Sequence, residues 1–410
     1  MRRTPIPFVK RLFGNAIRAR LSDDKMSKPL VASLYITTKC NFRCTYCDDG
    51  TGTLYPDVPE THRMETEQAK QVISIMAKVT PGFNVTGGEP TMRKDIVELY
   101  EHIHAQGFYP ITLNTNASLL ERYKKVMHYI DWLVVSVDAV NPERFDELID
   151  VGKGGQAVKV MANLEMSREY KKEHKLPFET MINSVITPET IDDAWEVFEY
   201  CIANRYMWSP MGHVNGKYPN AGLIDNPRWV ELMNEVIRAK KQGAWVYGNL
   251  RSLRIMRDFT RYECYPTTRP IVYPNGDLLY PCGPFQTRAA NLLEVGDYQK
   301  ALTIGINKHG PVPVCDNRCH VGCYSEASTL IEQPSLMVME AARWLSPYKY
   351  VTINKPARHA PMVPPKMNDF RDLLALPPEE IREMRAQGRL ENDFTSRIRI
   401  REIAEPLAAR

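Results

Sequence analysis

Three cysteines, Cys40, Cys44 and Cys47, lie within eight positions in the segment ITTKCNFRCTYCDDG. A structural zinc site needs four ligands, usually from two pairs of cysteines, and a CxxxCxxC pattern does not supply them. Iron–sulfur clusters are held by cysteine thiolates in tight runs of this kind. Three thiolates on a four-iron cluster leave one iron open, so the pattern predicts a 4Fe-4S cluster that binds a further molecule. The alternative is three cysteines that lie close together in a loop without a ligand.

Short apolar runs alternate with longer amphipathic segments on both sides of these cysteines. The runs that predict strands are LVASLYIT, FNVTG, ITLNTN, WLVVSVDA and ETMINSVIT. The segments that predict helices are TEQAKQVISIMAKV, KDIVELYEHIHAQG, LERYKKVMHYI and DAWEVFEYCIANR. This alternation indicates an α/β fold with a parallel sheet, either a barrel or an open sheet. Such sheets place their chemistry on the loops after the strands, and the three cysteines directly follow the first strand.

The composition restricts the class of protein. The chain has 410 residues, 43% of them hydrophobic, which suffices for an ordinary globular core and more than one domain. We expect a cytoplasmic protein, since there is no run of eighteen apolar residues and no signal-peptide pattern. Nine cysteines in a reducing compartment favour metal or redox chemistry over disulfides. A net charge of +4 is too small to indicate a nucleic-acid partner.

Both ends of the chain differ from its centre. Residues 1–29 are basic and partly apolar, and the apolar residues recur at roughly helical spacing: Phe8, Val9, Leu12, Phe13, Ile17 and Leu21. Such a segment suits the surface of an anionic membrane, and packing across the open end of a barrel is the alternative. Residues 346–410 are rich in proline and charge and contain one predicted helix, PPEEIREMRAQGRL.

The first cysteine group and the motifs after it resemble the radical S-adenosylmethionine (radical SAM) enzymes. An aromatic residue, Tyr46, precedes the last cysteine; GGEP follows the second predicted strand, NTN the third and SVD the fourth. The resemblance covers residues 30–245 and implies a partial (β/α)6 TIM-like barrel. It also implies reductive cleavage of S-adenosylmethionine to a 5′-deoxyadenosyl radical, which abstracts hydrogen from a C–H bond of a substrate.

The resemblance assigns cofactor contacts to these motifs. Gly87, Gly88 and Glu89 would meet the methionyl amine, and Tyr46 would pack against adenine. The side chains that would offer hydrogen bonds to the ribose and nearby groups are Asn114, Asn116, Ser136 and Asp138. From residue types alone, a glycine pair before proline forms a turn and a polar residue after a strand caps a helix.

A second cysteine group follows the barrel region. In RPIVYPNGDLLYPCGPF, the Asn275–Gly276 pair predicts a hairpin. The hairpin and its cysteines resemble the SPASM or twitch extension of radical SAM enzymes, which implies an auxiliary 4Fe-4S cluster. One such cluster would take four of five cysteines, and a structural zinc ion is the alternative: Cys264, Cys282, Cys315, Cys319 and Cys323. Cys201 is expected to be a small buried hydrophobic residue. His213 and His320 are expected to be structural, and the alternative is that they bind a metal or carry protons.

These expectations define four segments and several alternative functions. The segments are residues 1–29, the barrel at 30–249, the auxiliary domain at 250–345 and the tail at 346–410. We expect a small apolar or membrane-associated substrate, such as a lipid, an isoprenoid or a tetrapyrrole. An electron donor such as flavodoxin or ferredoxin would supply electrons. A peptide-modifying enzyme is the first alternative, although only 39 residues precede Cys40. A non-catalytic electron-transfer protein is the second; GGEP and the polar strand ends argue against it.

Overall fold

Parallel strands separated by helices form the centre of the structure, a computed structural model that describes residues 4–22, 26–47, 55–60, 62–149, 151–152, 154–311, 319–345, 351–356 and 376–389. The strands are β1 Val31–Tyr35, β2 Gly82–Thr86, β3 Ile111–Thr115, β4 Trp132–Ser136, β5 Glu179–Ile186, β6 Met207–Gly212, β7 Val214–Asn215, β8 Tyr218–Pro219, β9 Ile271–Val272, β10 Asp277–Leu279 and β11 Arg288–Asn291. The helices are α1 Ile6–Leu21, α2 Thr66–Ala77, α3 Ile96–Ala105, α4 Pro142–Ile149, α5 Gln156–Glu173, α6 Ile191–Asn204, α7 Pro227–Gln242, α8 Leu250–Asp258, α9 Leu292–Val295, α10 Tyr298–His309, α11 Gly322–Glu332, α12 Ser335–Leu345 and α13 Pro378–Ala386.

The sheet has the order β11-β10-β9-β1-β2-β3-β4-β5-β6, and β1 to β6 are all parallel. The prediction of a partial (β/α)6 TIM-like barrel is confirmed, and the described strands do not close into a complete barrel. The carboxyl ends of β1 to β6 therefore lie at one end of the sheet, where the motifs named above follow their strands.

The two faces of the sheet differ in polarity. On the outer face, alternate strand residues such as Leu34, Val85 and Leu113 are fully buried in the core shared with the helices. The opposite, inner face carries a hydrogen-bonded row: Asn84 Nδ2 donates to Ser33 Oγ at 3.2 Å, and Asn114 Nδ2 donates to Asn84 Oδ1 at 2.7 Å. Polar side chains on the inner face leave it suited to binding rather than to apolar packing.

The predicted hairpin is present and belongs to the same sheet. Strand β9 pairs in parallel with β1, and β10 turns back on β9 through the predicted turn, where Gly276 has a φ of +88°. A left-handed residue at this point explains why glycine follows Asn275. The region that carries the second cysteine group is thus joined to the barrel through the β1–β9 pair.

Helix α1 packs on the outside of this junction. Its inward residues, Leu12 and Ala16, contact Leu30, Tyr265 and residues of α11. Asn15 is buried, and its amide exchanges two hydrogen bonds of 2.9 Å with the backbone of Lys28, which fixes the helix near the start of β1. None of the helices in the described ranges is both long enough and apolar enough to cross a bilayer.

Two elements depart from the pattern-based expectations. Residues 120–128 form a 3-10 helix rather than an α-helix, because the buried Leu120, Tyr123 and Val126 recur every third residue and Tyr123 has non-helical dihedral angles. Strand β6 is not among the strands that the apolar runs predict, and its inner and outer residues do not alternate in hydrophobicity because both sides are largely covered.

Candidate active site

The first cysteine group lies on the loop after β1. Cys40 and Cys44 are partly buried and Cys47 is exposed. The Sγ of Cys40 accepts hydrogen bonds from the backbone N–H of Phe42 at 3.4 Å and from Asn116 Nδ2 at 3.9 Å. The backbone N–H of Cys47 donates to the carbonyl of Cys44 at 3.0 Å, so the last two cysteines lie on one tight turn.

The surroundings of these thiols disfavour free thiolates. Burial raises the pKa of Cys40 to about 11, and the carboxyl group of Glu89 adds to the shift. Burial raises the pKa of Cys44 well above its usual value, and so do Cys47, Asp138 and Cys40. Thiols in such a group become ligands when a metal centre supplies the positive charge that offsets the burial. The donor set therefore fits a cluster that binds through thiolates.

Gly87 and Gly88 bring the end of β2 against this loop. The backbone N–H of Gly88 donates to the Thr37 carbonyl at 2.8 Å, and that of Glu89 donates to the Lys39 carbonyl at 2.7 Å. A Cβ atom on Gly88 would lie 2.1 Å from the Lys39 oxygen, and one on Gly87 would lie 2.4 Å from the Thr37 oxygen. The close approach of two backbones therefore requires glycine at both positions, in addition to the cofactor contact that the resemblance implies.

The carboxylate of Glu89 is 1% exposed and accepts four hydrogen bonds. Three reach Oε1, from the backbone and hydroxyl of Thr91 and from the hydroxyl of Thr115; the backbone N–H of Asn116 reaches Oε2 at 2.7 Å. Burial raises the pKa of Glu89, and these donors oppose the rise. Oε2 retains capacity for one more donor. The assigned contact with an ammonium group stays a prediction.

The remaining assigned residues lie at the same end of the sheet. Asn116 links Cys40 to the end of β3 and donates to Asn41 Oδ1 at 3.0 Å. The hydroxyl of Tyr46 donates to Asp138, which also accepts from the backbone N–H of Val185 at 2.7 Å. Burial raises the pKa of Asp138 to about 6, against the effect of these two donors. The structure brings the predicted residues of four strand ends together around the cysteine loop.

Asn114 and Ser136 face the inner side of the sheet. Asn114 ends the hydrogen-bonded row described above, so its amide oxygen is the part left for another partner. Ser136 is exposed at the end of β4. Both side chains lie where the resemblance places the ribose, and that role stays a prediction.

His213 is predicted to be structural, but its surroundings suit a site residue. It follows β6, is 4% exposed, and lies edge-on to the ring of Tyr46 with 6.3 Å between centroids. Asn220 Nδ2 lies 3.1 Å from Nδ1, and an amide N–H can only donate there, so the proton is on Nε2.

Burial lowers the pKa of His213 to about 4. The Tyr46 backbone is near enough to oppose this shift, but Nε2 has no hydrogen-bond partner among the residues that the structure describes. A buried, unused donor beside the cysteine loop fits an acceptor on a bound cofactor. The sequence leaves a functional role for His213 open but favours a structural one, because a lone histidine is usually structural and β6 is not recognisable from the sequence.

The second cysteine group is partly described. Cys264 and Cys282 are buried in one contact cluster with Tyr324, and Cys323 packs against that cluster. Cys319 is buried close by in sequence, next to the buried His320, and Cys315 lies outside the described residues. Burial raises the pKa of the Tyr324 hydroxyl well above its usual value, with further contributions from Cys282 and Cys323. Cys201 is fully buried in α6, away from both groups.

No three His, Cys, Asp or Glu side chains within the described ranges are arranged to hold one metal ion. Each ligand of a four-iron cluster binds its own iron, so the sulfur atoms around such a cluster lie farther apart than those around a single ion. A group of thiols that does not fit a single metal ion can therefore still fit a cluster.

Comparison with known proteins identifies the central region. Residues 34–201 match the model of the Radical SAM superfamily. The chain is 30% identical over 176 residues to GTP 3′,8-cyclase of Aquifex aeolicus, which covers 42% of this chain and 52% of that protein. It is 28% identical over 203 residues to GTP 3′,8-cyclase of Haemophilus influenzae, which covers 47% and 55%. The chain thus spans about half the length of the curated relatives it matches.

Solved structures show a similar fold. Streptococcus suis SuiB bound to precursor peptide SuiA matches with a TM-score of 0.51 and 19% identity, over 73% of each chain. Hexahistidine-tagged anSMEcpe with bound AdoMet matches with a TM-score of 0.52 and 18% identity, over 68% of this chain and 82% of that one. At these identities the likeness concerns the fold.

Proposed function

We propose that this chain cleaves S-adenosylmethionine reductively and abstracts hydrogen from a C–H bond of a substrate, because residues 34–201 match the model of the Radical SAM superfamily. A 4Fe-4S cluster and S-adenosylmethionine would supply the electron transfer and the 5′-deoxyadenosyl radical. The observation that supports this function best is the packing of the cysteine loop against the GGEP segment and the ends of β3 and β4.

The residues of the chain would hold and orient these groups. Cys40, Cys44 and Cys47 would bind the cluster, and the free capacity of Glu89 Oε2 suits an ammonium donor. The links from Asn116 to Cys40 and from Tyr46 to Asp138 keep the loop fixed relative to the strand ends. Burial excludes water from one side of the loop, which protects a reactive radical.

Replacement of Cys40, Cys44 and Cys47 together by Ala tests this function. In anaerobically reconstituted protein the triple variant should lose about half of the iron, since two clusters are proposed, and all reductant-dependent formation of 5′-deoxyadenosine. Cys201→Ala is the matched control, because this cysteine is buried away from both groups. Formation of 5′-deoxyadenosine by the triple variant would refute the assignment.

The inner face of the sheet is the proposed substrate surface. It combines the polar row with partly exposed apolar residues such as Met181, Val185 and Met211. This mixture suits a mainly apolar intermediate, such as a lipid, an isoprenoid or a tetrapyrrole, that carries a few polar groups. The relatives are named for GTP, which makes a nucleotide the second candidate, and SuiB was solved with a precursor peptide, which keeps a peptide as the third.

The exposed side of α1 supports association with a membrane surface. Ile6, Val9, Phe13, Ile17 and Leu21 are 40% to 81% exposed and follow one side of the helix. Basic residues, among them Lys10 and Arg18, accompany them. An apolar stripe with basic neighbours is the pattern of a helix that lies in the interface of an anionic membrane.

Vesicle sedimentation tests this association. The protein should sediment with vesicles that contain phosphatidylserine and less with phosphatidylcholine alone. The pair of changes Phe13→Glu and Ile17→Glu should abolish sedimentation, because it places two charges on the apolar stripe. Val158→Glu, a similarly exposed apolar position on α5, should have no effect. Binding that persists in the double variant would contradict membrane docking through α1.

The second cysteine group is proposed to hold one auxiliary 4Fe-4S cluster on four of its five cysteines. The shared contact cluster of Cys264 and Cys282, with Cys323 against it, supports this assignment. A flavodoxin or ferredoxin is proposed to donate electrons near Cys47, the exposed member of the first group. The boundaries at 29/30, 249/250 and 345/346 remain the proposed division of the chain.

A further inference from the structure

One arginine on the inner face of the sheet has most of its guanidinium unused. Arg269 precedes β9, is partly buried, and donates through Nε to Ser33 Oγ at 3.0 Å. Its two terminal nitrogens form no hydrogen bond or ion pair with the residues that the structure describes. By contrast, the buried Arg93 forms a two-bond pair with Asp95 and donates to the carbonyl of Met64 at 2.9 Å.

The groups around Arg269 are hydroxyls and a thiol. Cys323, Tyr247, Tyr324 and Tyr35 raise the pKa of Arg269 against the effect of burial, and no carboxyl group is among the principal influences on it. The hydroxyl of Tyr324 accepts from the backbone N–H of Gly283 at 3.1 Å and donates to the carbonyl of Arg269 at 3.4 Å.

The position of Arg269 relates it to the proposed reaction site. Arg269, Ser33, Asn84 and Asn114 form one continuous hydrogen-bonded row across the inner face. Ser33 and Asn114 are two strands apart, which corresponds to roughly 10 Å. The carbonyl of Arg269 accepts a hydrogen bond of 3.4 Å from the hydroxyl of Tyr324, which packs against Cys264 and Cys282. Arg269 therefore lies between the polar row on the inner face and the second cysteine group.

We propose that the Arg269 guanidinium binds an oxyanion of the substrate, a carboxylate or a phosphate. The inference rests on the proposed function and names the chemical class of its substrate. A partly buried guanidinium without a carboxylate partner is costly unless an anion binds, and its planar donors match these oxyanions in a two-bond geometry. Binding there anchors the substrate at the end of the row opposite Asn114, with the rest of the molecule extending toward the cysteine loop.

The test measures anion binding by calorimetry in the reconstituted protein with S-adenosylmethionine and without reductant, at an ionic strength fixed with NaCl. The probes are sodium octanoate, a carboxylate on an apolar chain, and sodium pyrophosphate. Wild-type protein should bind one of them saturably. Arg269→Gln should weaken that binding roughly tenfold or more. Arg254→Gln, an exposed arginine on α8, is the matched control and should bind as the wild type does.

Preference for octanoate identifies a carboxylate substrate, and preference for pyrophosphate a phosphorylated one. Arg269→Lys keeps the charge but loses the planar donors, so this variant should bind the probe with an affinity between those of the wild type and Arg269→Gln. It separates the loss of an anion contact from a general loss of folding. Circular dichroism checks the fold of each variant. Failure of the wild type to bind either probe, or equal binding by Arg269→Gln, overturns the proposal.

A competing role for Arg269 is to balance the charge of a cluster near Cys323. In that case Arg269→Gln would shift the reduction potential of the auxiliary cluster while the affinity for the probes stayed unchanged, and the proposal would be wrong. The test of the anion site is independent of the proposed function, because probe binding is measured without reductant and therefore without cleavage of S-adenosylmethionine. Wild-type protein that forms no 5′-deoxyadenosine but binds a probe through Arg269 would refute the function and retain the anion site.

Discussion

At the scale of single residues, the candidate site depends on a buried carboxylate and a buried imidazole that are held by different means. Glu89 accepts from donors on three residues, so its position is fixed by hydrogen bonds. His213 has one ring nitrogen held by Asn220 and the other unused, so its position leaves a donor for a ligand. These differences lead to distinct consequences of substitution.

Glu89→Gln should weaken both the site and the fold. The amide group of Gln must face either the Thr91 and Thr115 donors or the Asn116 N–H, and one buried donor then loses its acceptor, which costs about 1–3 kcal/mol of unfolding free energy. Loss of the carboxylate charge should weaken binding of S-adenosylmethionine by roughly 1.5–3 kcal/mol while the cluster spectrum is retained. Denaturant unfolding and equilibrium binding measure the two effects. The control is Glu98→Gln on the exposed side of α3. Unchanged cofactor affinity in Glu89→Gln would show that Glu89 only holds the loop in place.

His213 should make stability fall in mild acid. The pKa of His213 is about 4 in the folded state and near 6.5 in the unfolded state. Between these pH values the imidazole is mostly protonated in the unfolded state and mostly neutral in the folded state. The contribution is fully present above pH 6.5 and is lost as pH falls toward 4, and it amounts to about 2 kcal/mol between pH 7.5 and pH 5. His213→Gln should show a correspondingly weaker loss of unfolding free energy over this interval. Parallel curves for the variant and the wild type would contradict burial of a neutral imidazole.

At the scale of elements, the cysteine loop and the GGEP segment are one packed unit. Gly88→Ala places a Cβ atom on the Lys39 carbonyl, so the loop must shift away from β2. We expect the variant to fold but to lose most of the iron of the first cluster and the formation of 5′-deoxyadenosine. Iron analysis and product assay measure these losses. Gly14→Ala in α1, where no atom lies within 4 Å of the added carbon, is the control and should slightly stabilise the helix. Normal iron content in Gly88→Ala would show that the approach of the two segments is not required.

Patterns in the sequence predict most of the barrel elements because buried outer residues such as Leu34 and Val85 alternate with inner ones along each strand. Strand β6 is missed because Met207 and Trp208 are both buried, so no alternation remains. The strand-end motifs locate the candidate site, but the reason for Gly88 depends on a backbone 49 positions earlier in the chain. His213 and Arg269 are not recognisable as site residues because their roles arise from contacts between distant segments rather than from spacing.

At the scale of the whole molecule, the two cysteine groups are attached to one sheet. Cys264→Ala combined with Cys282→Ala should remove about half of the iron but leave slow formation of 5′-deoxyadenosine, because the barrel supplies the groups proposed to hold S-adenosylmethionine. Iron analysis and anaerobic product assay measure the outcome. Circular dichroism checks the fold, since a bound cluster contributes to folding.

Cys201→Ala is again the control for the loss of a buried cysteine. Unchanged iron content in the folded double variant would contradict an auxiliary cluster and favour free thiols.

The sheet does not close into a ring within the described ranges, and this gap gives the barrel a mechanical property. Its described edges are β6 and β11, and Arg269 precedes β9, which attaches the hairpin region to β1. An anion held by Arg269 and by the polar row of β1 to β3 would tie these segments together, so the loaded barrel would be stiffer than the empty one. Loading should then slow the amide hydrogen exchange of β9 and of β1 to β3, which makes the stiffness of the barrel a readout of its occupancy.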